Sequence, residues 1–460
     1  MMQMNNIRSV YFIGIGGIGM SAIARFFKFE GKNVAGYDRT STVLTKELEQ
    51  EGITIHYTDD VDEIALCYRD KSSALIVYTP AIPDDHSELQ YFRNKGFTLQ
   101  KRAEVLGLLT QKRDGVCVAG THGKTTISTM TAHLFTKSEV GCSAFLGGIS
   151  NNYKTNFLHS HQSPYVVLEA DEFDRSFLHL KPHFALISAM DADHLDIYGD
   201  EQQVKAAFNQ FVQKIQPGGA LVYKAGLPLD EVDEDVELFS YSLEGESDFY
   251  ATNIKLVDGL YQFDVISPFG KIHKLKLGIP GLVNVENAIG AIALALLGDV
   301  DAEEIRKSLV EFKGIRRRFE YKIKSENLVM IDDYAHHPEE INATLASVKD
   351  IYPDRKIAVV FQPHLYTRTR DFAAGFAAAL DVADQVYLLD IYPARELPIE
   401  GVTSELIREK MELKQVEMVS KEDLVEKVKV SKPEVLLTLG AGDIDKMVPV
   451  LARELELFIK

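Results

Sequence analysis

Cysteine is scarce in this chain, with three residues, Cys67, Cys117 and Cys142, among 460. They form neither a C-x-x-C pair nor an even framework, which excludes a disulfide scaffold and fits a reducing compartment; all three are expected to be buried filler. Long apolar runs are missing as well. The longest, AIGAIALALLG from Ala288 to Gly298, is too short to span a bilayer and reads as a packed helix. The opening residues MMQMNN offer no basic segment followed by an apolar one, so no secretory signal is expected. Positive charge is in deficit, 50 Lys and Arg against 68 Asp and Glu, for a formal net charge of -18. That balance excludes nonspecific binding to nucleic acid or anionic membranes and leaves room only for a local basic pocket. Solenoid repeats and low-complexity segments are absent too. A cytoplasmic, multidomain enzyme is expected, with roughly three domains at about 150 residues each.

What is present is an alternation of strand, turn and helix. SVYFIGIGGIGMSAIARFFKFEG reads as a buried strand, a glycine turn and a helix. Met20, Ile23, Ala24 and Phe27 share one face of that helix, and Gly31 ends it. NVAGYD, ending in Asp38, and ALIVYTPAI add strands to what should be a parallel, doubly wound sheet. The polar QKRDG reads as a linker. VCVAG opens a second unit, ISTMTAHLF supplies its helix, and YVVLEADE and HFALISAMDADH are strands that end in acids. From about Gly218 to Lys276 the short β-like pieces and the hairpin-like SPFGKIHKLKLG suggest an antiparallel insertion. A helical NVENAIGAIALALLG and a charged helix after Asp299 close the unit near Gly314. Strands around LVMIDDY, KIAVVFQPH, QVYLLDIY and VLLTLGAG make a third α/β unit. The expected boundaries are 1–113, 114–314 and 315–460.

Two glycine loops carry the chemistry. AGTHGKTT, Ala119 to Thr126, lacks the spacing of G-x-x-x-x-G-K-[ST], because Val118 falls where the first glycine belongs. Its setting between an apolar strand and a helix still aims backbone N–H groups and a helix N-terminus at phosphate oxygens. Lys124 can reach β- and γ-phosphates, and the Thr125 hydroxyl can ligate Mg²⁺. GIGGIG, Gly14 to Gly19, with Asp38 about twenty residues on, fits the dinucleotide fingerprint, yet the same turn suits any diphosphate, a nucleotide sugar included. Glu169 ends a strand beside the phosphate loop and could hold the metal. His194, flanked by Asp193 and Asp196, could hold a second one or orient a phosphate. Arg316, Arg317 and Arg318 could neutralise a transferring phosphoryl group, or be a solvated face. Asp332, Asp333, His336, His337, His364, Arg368 and Arg370 fall at strand ends of the third unit, where ligands of open α/β sheets bind.

GIGGIGMSAIA, GTHGKTT, EADEFDRSFL, DADHLDIY, RRRFE, DDYAHHPEE, FQPHLYTRTRD, DIYPARE and GAGD occur in this order over nearly the whole chain. Together they resemble the Mur ligase family, whose own phosphate loop is the short G-x-x-G-K-T-T form. The resemblance implies a Rossmann-like N-terminal domain for a UDP-sugar, a central P-loop ATP-binding domain and a Rossmann-like C-terminal domain for the amino acid. It implies an ATP- and Mg²⁺-dependent ligase joining L-alanine to UDP-N-acetylmuramic acid through an acyl phosphate, in peptidoglycan precursor synthesis, as a monomer or homodimer. The implied catalytic residues are Lys124, His194, Arg318 and His336. The implied ATP contacts are Gly120, Thr121, His122, Gly123, Lys124, Thr125, Thr126, Asn284, Asn287, Arg318 and Asp333. The UDP-sugar falls to Gly14, Gly16, Gly17, Ile18, Gly19, Asp38, Thr79, Arg102 and His122. The amino acid falls to His337, His364 and Arg368, and the metal to Thr125, Glu169 and His194.

Three departures from the family pattern stand out. Val283 replaces a histidine in G-x-H-N-x-x-N, and Leu365 stands where an arginine commonly holds the amino-acid carboxylate. Phe208 falls near the register of a carbamylated lysine found in several relatives. Three other readings stay open on the residues alone. They are a ligase adding a recycled tripeptide to the same sugar, an NAD(P)-dependent oxidoreductase fused to an ATPase, and a nucleotide-gated binding protein.

Overall fold

Continuous apolar runs such as SVYFI and VLLTL become strands buried along their whole length, because helices cover both faces of the sheets they enter. The computed structural model describes residues 6–191, 198, 200–245, 247–394 and 396–459. The first sheet contains β1 (Ser9–Ile13), β2 (Asn33–Tyr37), β3 (Thr54–His56), β4 (Ala74–Tyr78) and β5 (Leu99–Lys101), all parallel in the order β3-β2-β1-β4-β5. Strand order reverses at β1, which puts the GIGGIG loop at the switch point where such sheets bind ligands.

The second sheet has ten strands: β6 (Asp114–Ala119), β7 (Ser143–Phe145), β8 (Phe157–Leu158), β9 (Tyr165–Glu169), β10 (Pro182–Ile187), β11 (Ala220–Lys224), β12 (Glu237–Glu244), β13 (Phe249–Val257), β14 (Leu260–Ser267) and β15 (Gly270–Lys276). Their order is β15-β14-β13-β12-β11-β10-β6-β9-β7-β8. The antiparallel insertion expected after Gly218 is corrected here. β11 and β12 continue the sheet in parallel, and antiparallel pairing in this stretch joins β14 to β15. The reason lies in the helix Glu201–Val212, which connects β10 to β11 as a parallel crossover and lets the apolar ALVYK enter the sheet as a buried strand.

The third sheet, β16 (Glu320–Lys324), β17 (Val329–Asp333), β18 (Ile357–Phe361), β19 (Gln385–Leu388), β20 (Val416–Met418) and β21 (Val435–Leu439), runs β16-β17-β21-β18-β19-β20, with β16 antiparallel to β17. The chain forms two compact units. The first comprises Met1–Ile254, Gln262–Leu277 and Glu286–Lys313; the second comprises Lys255–Tyr261, Gly278–Val285 and Gly314–Lys460. Within the first unit one apolar core continues between the first two sheets. Phe26, on the helix Ile18–Phe29, meets Phe145 of β7 at 5.6 Å and Phe157 of β8 at 6.1 Å between ring centroids. Among the described residues no helix is long and apolar enough to cross a membrane. Cys117 and Cys142 are buried, but Cys67 is exposed, a correction to its reading as filler.

Candidate functional site

β6 delivers the chain into Gly120–Gly123 and then into the helix Lys124–Thr136. Gly123 caps that helix at φ +81°, and a Cβ there would lie 2.9 Å from Asn287 Oδ1, so the position demands glycine. The loop is tied to the segment after β10. Thr121 N donates to Ala189 O at 3.1 Å, and the Ser188 hydroxyl donates to the carbonyls of Ala119 and His122. His122 Nε2 lies 3.5 Å from Asp191 Oδ2, and Asp191 N donates to Thr121 Oγ1 at 3.2 Å. The first helical turn carries Thr125 and Thr126 and no acid, which leaves its positive end suited to phosphate.

Lys124 Nζ donates to Gly120 O at 2.6 Å and to Glu172 Oε1 at 2.8 Å. Burial works against its charge, but the carboxylates of Glu172, Glu169 and Asp171 outweigh that and hold its pKa above the usual lysine value. Glu172 is 1 % exposed, and its role as the lysine's partner was not read from the sequence. The one signal was EADEFD itself, which offers four acids without saying which faces the lysine. Thr125 is buried on the same turn, and Glu169 ends β9 beside β6 with its carboxylate packed over Gly147. A hydroxyl and a carboxylate are the hard oxygen donors that Mg²⁺ takes. His194 lies outside the described residues.

The second glycine loop closes at the carboxyl ends of β1, β2 and β4. Gly14 packs on Thr79, and Gly16 N donates to Asp38 Oδ2 at 2.7 Å. Thr40 N donates to the other Asp38 oxygen at 3.2 Å. Asp38 therefore braces the loop backbone. The helix Ile18–Phe29 starts after Gly17 with no side-chain cap and no acid in its first turn. Arg102 lies across that start: a Cβ on Gly19 would be 2.6 Å from Arg102 Nη1, and Nη2 donates to Asp171 Oδ2 at 3.1 Å. Ile18, Gly19, Arg102, Glu169 and Asp171 line one cleft. That cleft runs from a free helix N-terminus to the acids beside Lys124.

In the second unit the three arginines separate. Arg316 is exposed. Arg317 Nη2 donates to Gly440 O at 2.6 Å, and Nε lies 3.4 Å from Asp332 Oδ2, whose side chain is 1 % exposed. Arg318 stands 5.1 Å over the Tyr334 ring and 3.8 Å from Glu340. Asp333 is absorbed by this turn, accepting from Phe319 N at 3.0 Å, Ala335 N at 2.9 Å and Thr344 Oγ1 at 3.2 Å. Burial pushes its carboxyl up to about 6 against the pull of Arg318. Those three hydrogen bonds fix the Asp333 carboxyl within the turn. Asn284 Nδ2 donates to Pro280 O at 2.6 Å, and Val283 is exposed.

His336 and His364 face each other edge-on at 6.1 Å, and His364 stacks on Tyr392. His336 Nδ1 is 3.0 Å from Tyr334 O and 3.2 Å from Glu340 Oε2. His337 caps the helix Pro338–Ile351 and packs on Phe372. Leu365 sits at φ +70° before the helix Tyr366–Leu380, which carries Arg368 in its first turn and the exposed Arg370 beyond it. Burial holds both His336 and His364 down at about 4, so they are neutral at pH 7. A histidine depressed in the folded state stabilises fully above its unfolded pKa of about 6.5, and that contribution is lost as pH falls towards 4. Acidification from pH 7 to 5 should therefore weaken the second unit by about 2 kcal/mol through His336, with Asp333 acting in the opposite sense. His336→Gln should show a smaller loss in urea melts at the two pH values; an unchanged loss would refute the assignment.

A cavity of about 360 Å³ that the sequence did not reveal lies beyond β18, β19 and β21, bounded by Gln362, Tyr392, Lys421 and Asp443. Asp443 is the acid of the GAGD motif. Nothing in the local sequence pointed to Lys421, which forms an ion pair with it. Phe208 is fully buried and packs on Phe177 at 5.3 Å, so no carbamylated lysine can occupy its place.

Three family models match in order: the Mur ligase family catalytic domain over residues 9–114, the Mur ligase middle domain over 118–295 and the Mur ligase glutamate ligase domain over 317–442. The chain is 51% identical over 450 residues to the UDP-N-acetylmuramate–L-alanine ligase of Phocaeicola vulgatus, covering 97% of this chain and 98% of the relative. It is 52% identical over 445 residues to the enzyme of that name from Porphyromonas gingivalis strain W83, covering 96% and 98%. The crystal structure of UDP-N-acetylmuramate-alanine ligase MurC from Thermotoga maritima superposes with a TM-score of 0.82 at 28% identity, over 98% of this chain and 99% of that one. A murein peptide ligase from Psychrobacter arcticus shares the fold, with a TM-score of 0.68 at 22% identity over 97% and 98%.

Proposed function

Because the chain belongs to the Mur ligase family, we propose that it joins L-alanine to the lactyl carboxylate of UDP-N-acetylmuramic acid, using ATP, in peptidoglycan precursor synthesis. The observation that carries this reading is identity of about half the residues to two ligases of that name, over nearly their full length. The geometry supports it with two separate anion sites in the first unit, at the starts of the helices Lys124–Thr136 and Ile18–Phe29. Asp38, taken up by Gly16, removes the main support of the oxidoreductase reading. The reaction would take place in the cytoplasm, with the chain divided near residues 113 and 314.

A carboxylate does not condense with an amine in water until it carries a leaving group. In this mechanism the sugar carboxylate attacks the γ-phosphorus, giving an acyl phosphate and ADP. The alanine amine then attacks the acyl carbon, and phosphate leaves. Lys124 and the N–H groups of Gly120–Thr126 hold the β- and γ-phosphates. Mg²⁺, held by Thr125 and Glu169, would supply charge neutralisation at the phosphate oxygens. Arg318 stabilises charge on the transferring group. Arg102 and the helix start at Gly17–Gly19 take the sugar's diphosphate. Arg368, with His337 and His364, takes the alanine carboxylate in place of the arginine that Leu365 replaces.

Phosphate release should require ATP, Mg²⁺, UDP-N-acetylmuramic acid and L-alanine together. Release with a tripeptide donor but not with L-alanine would overturn the reading, and so would NADH binding at the first loop. Gly19→Ala places a methyl against the Arg102 guanidinium. KM for the UDP-sugar should rise about tenfold with little change in kcat or in thermal stability; an unchanged KM would remove Arg102 from that subsite.

A further inference from the structure

On the edge of the first unit, away from both glycine loops, Glu30, His159 and His161 bring one ligand atom each to within 4.8 Å of one another. The geometry points to a binding site for a zinc-class divalent ion here, with two imidazole nitrogens and one carboxylate oxygen as protein ligands.

The spacing is that of coordination. His159 Nε2 and His161 Nδ1 are 3.2 Å apart, and two nitrogens bound to one ion at about 2.0–2.1 Å lie roughly 3 Å apart. Without an ion, that spacing allows one shared proton between the rings; an ion would take the proton's place. The rings are also held in position. Phe29 lies against His159 at 3.8 Å and against His161 at 5.1 Å between centroids, which accounts for an aromatic side chain that is 51% exposed. Ser160, between the two histidines, is pinned on both sides of its backbone. Its N–H donates to Ser143 Oγ at 3.1 Å, and its carbonyl accepts from Arg113 Nη1 at 3.1 Å. The HSH turn is therefore built in advance of any ligand.

Charge and chemistry agree with that geometry. Glu30 is the C-cap of the helix Ile18–Phe29, whose last carbonyls make the negative end of the helix dipole. Imidazole selects zinc, copper or nickel over Mg²⁺, which prefers all-oxygen sites. Two histidines and a carboxylate leave a fourth position for water. Since Glu30 follows a helix of the first sheet and the histidines follow β8 of the second, a bound ion would clamp the two layers that Phe26, Phe145 and Phe157 already join.

The test titrates ZnCl₂ calorimetrically into the full chain, stripped of metals and held in excess MgCl₂ so that the oxygen site is already filled. One zinc per chain should bind, and zinc should raise Tm in a concentration-dependent way. His161→Ala and Glu30→Gln, both at exposed positions, should each weaken that binding by at least about tenfold. Zinc binding that is the same in His161→Ala and in the unsubstituted chain would overturn the proposal. Ligation by His161→Ala in Mg²⁺ alone should be unchanged; a loss there would overturn the separation of this site from the catalytic one.

Discussion

Lys124→Ala is expected to abolish turnover, with kcat lower by about three orders of magnitude or more, and to destabilise the first unit at the same time. The catalytic part follows from phosphoryl transfer, where the protein contributes position and charge and little covalent chemistry. The structural part follows from Glu172. Its carboxylate is buried, and the Lys124 ammonium at 2.8 Å is its partner. Removing one member of a buried pair leaves the other uncompensated, at a cost of about 3–5 kcal/mol. The two effects can be separated. Lys124→Ala/Glu172→Gln removes the stranded charge as well, so it should recover most of the stability and none of the activity. Urea melts and phosphate release on the single and double variants decide the matter. If the double variant is no more stable than the single one, the pair is not what holds this part of the fold. UDP-sugar affinity should survive in both; if it collapsed with activity, the assignment of the two glycine loops to different ligands would fail.

Arg317→Ala and Arg318→Ala should fail in opposite ways, although the residues are adjacent. Arg317 neutralises Asp332, whose carboxyl burial pushes above its ordinary value and the guanidinium pulls back. Its Nη2 also holds Gly440 O, and so fixes the end of β21. Truncation there should lower the stability of the second unit by about 3 kcal/mol. Arg318 is about a third exposed and stacks on Tyr334. Its loss should leave the urea midpoint nearly unchanged and reduce kcat by about 10³-fold, the scale of an arginine that stabilises transferring phosphate. Arg318→Lys should rescue little, because an ammonium cannot reproduce the planar fork. Equal activity losses with equal stability losses in the two alanine variants would overturn this division of labour.

Sequence by itself determined the class of fold and the location of both glycine turns. Buried strands announce themselves as continuous apolar runs, and a glycine loop between strand and helix needs no distant residue to define it. It also fixed the family, because nine motifs in order leave no room for coincidence. What it could not decide was which of several like residues does each task. Among the acids of EADEFD the tertiary structure gave Glu172 to Lys124. Of the three arginines it paired Arg317 with the buried Asp332 and left Arg318 about a third exposed. Asp38, which a fingerprint reserves for ribose, went to the N–H of Gly16. Lys421 and Asp443, 22 residues apart, met beside Gln362 only once β18 and β21 were neighbours in the sheet. The parallel course of β11 and β12 was hidden for the same reason. Local pattern sets which residues can bond, but distance along the chain carries no information about which partner arrives, and the choice falls to packing, where a buried charge must find its opposite or remain unpaired.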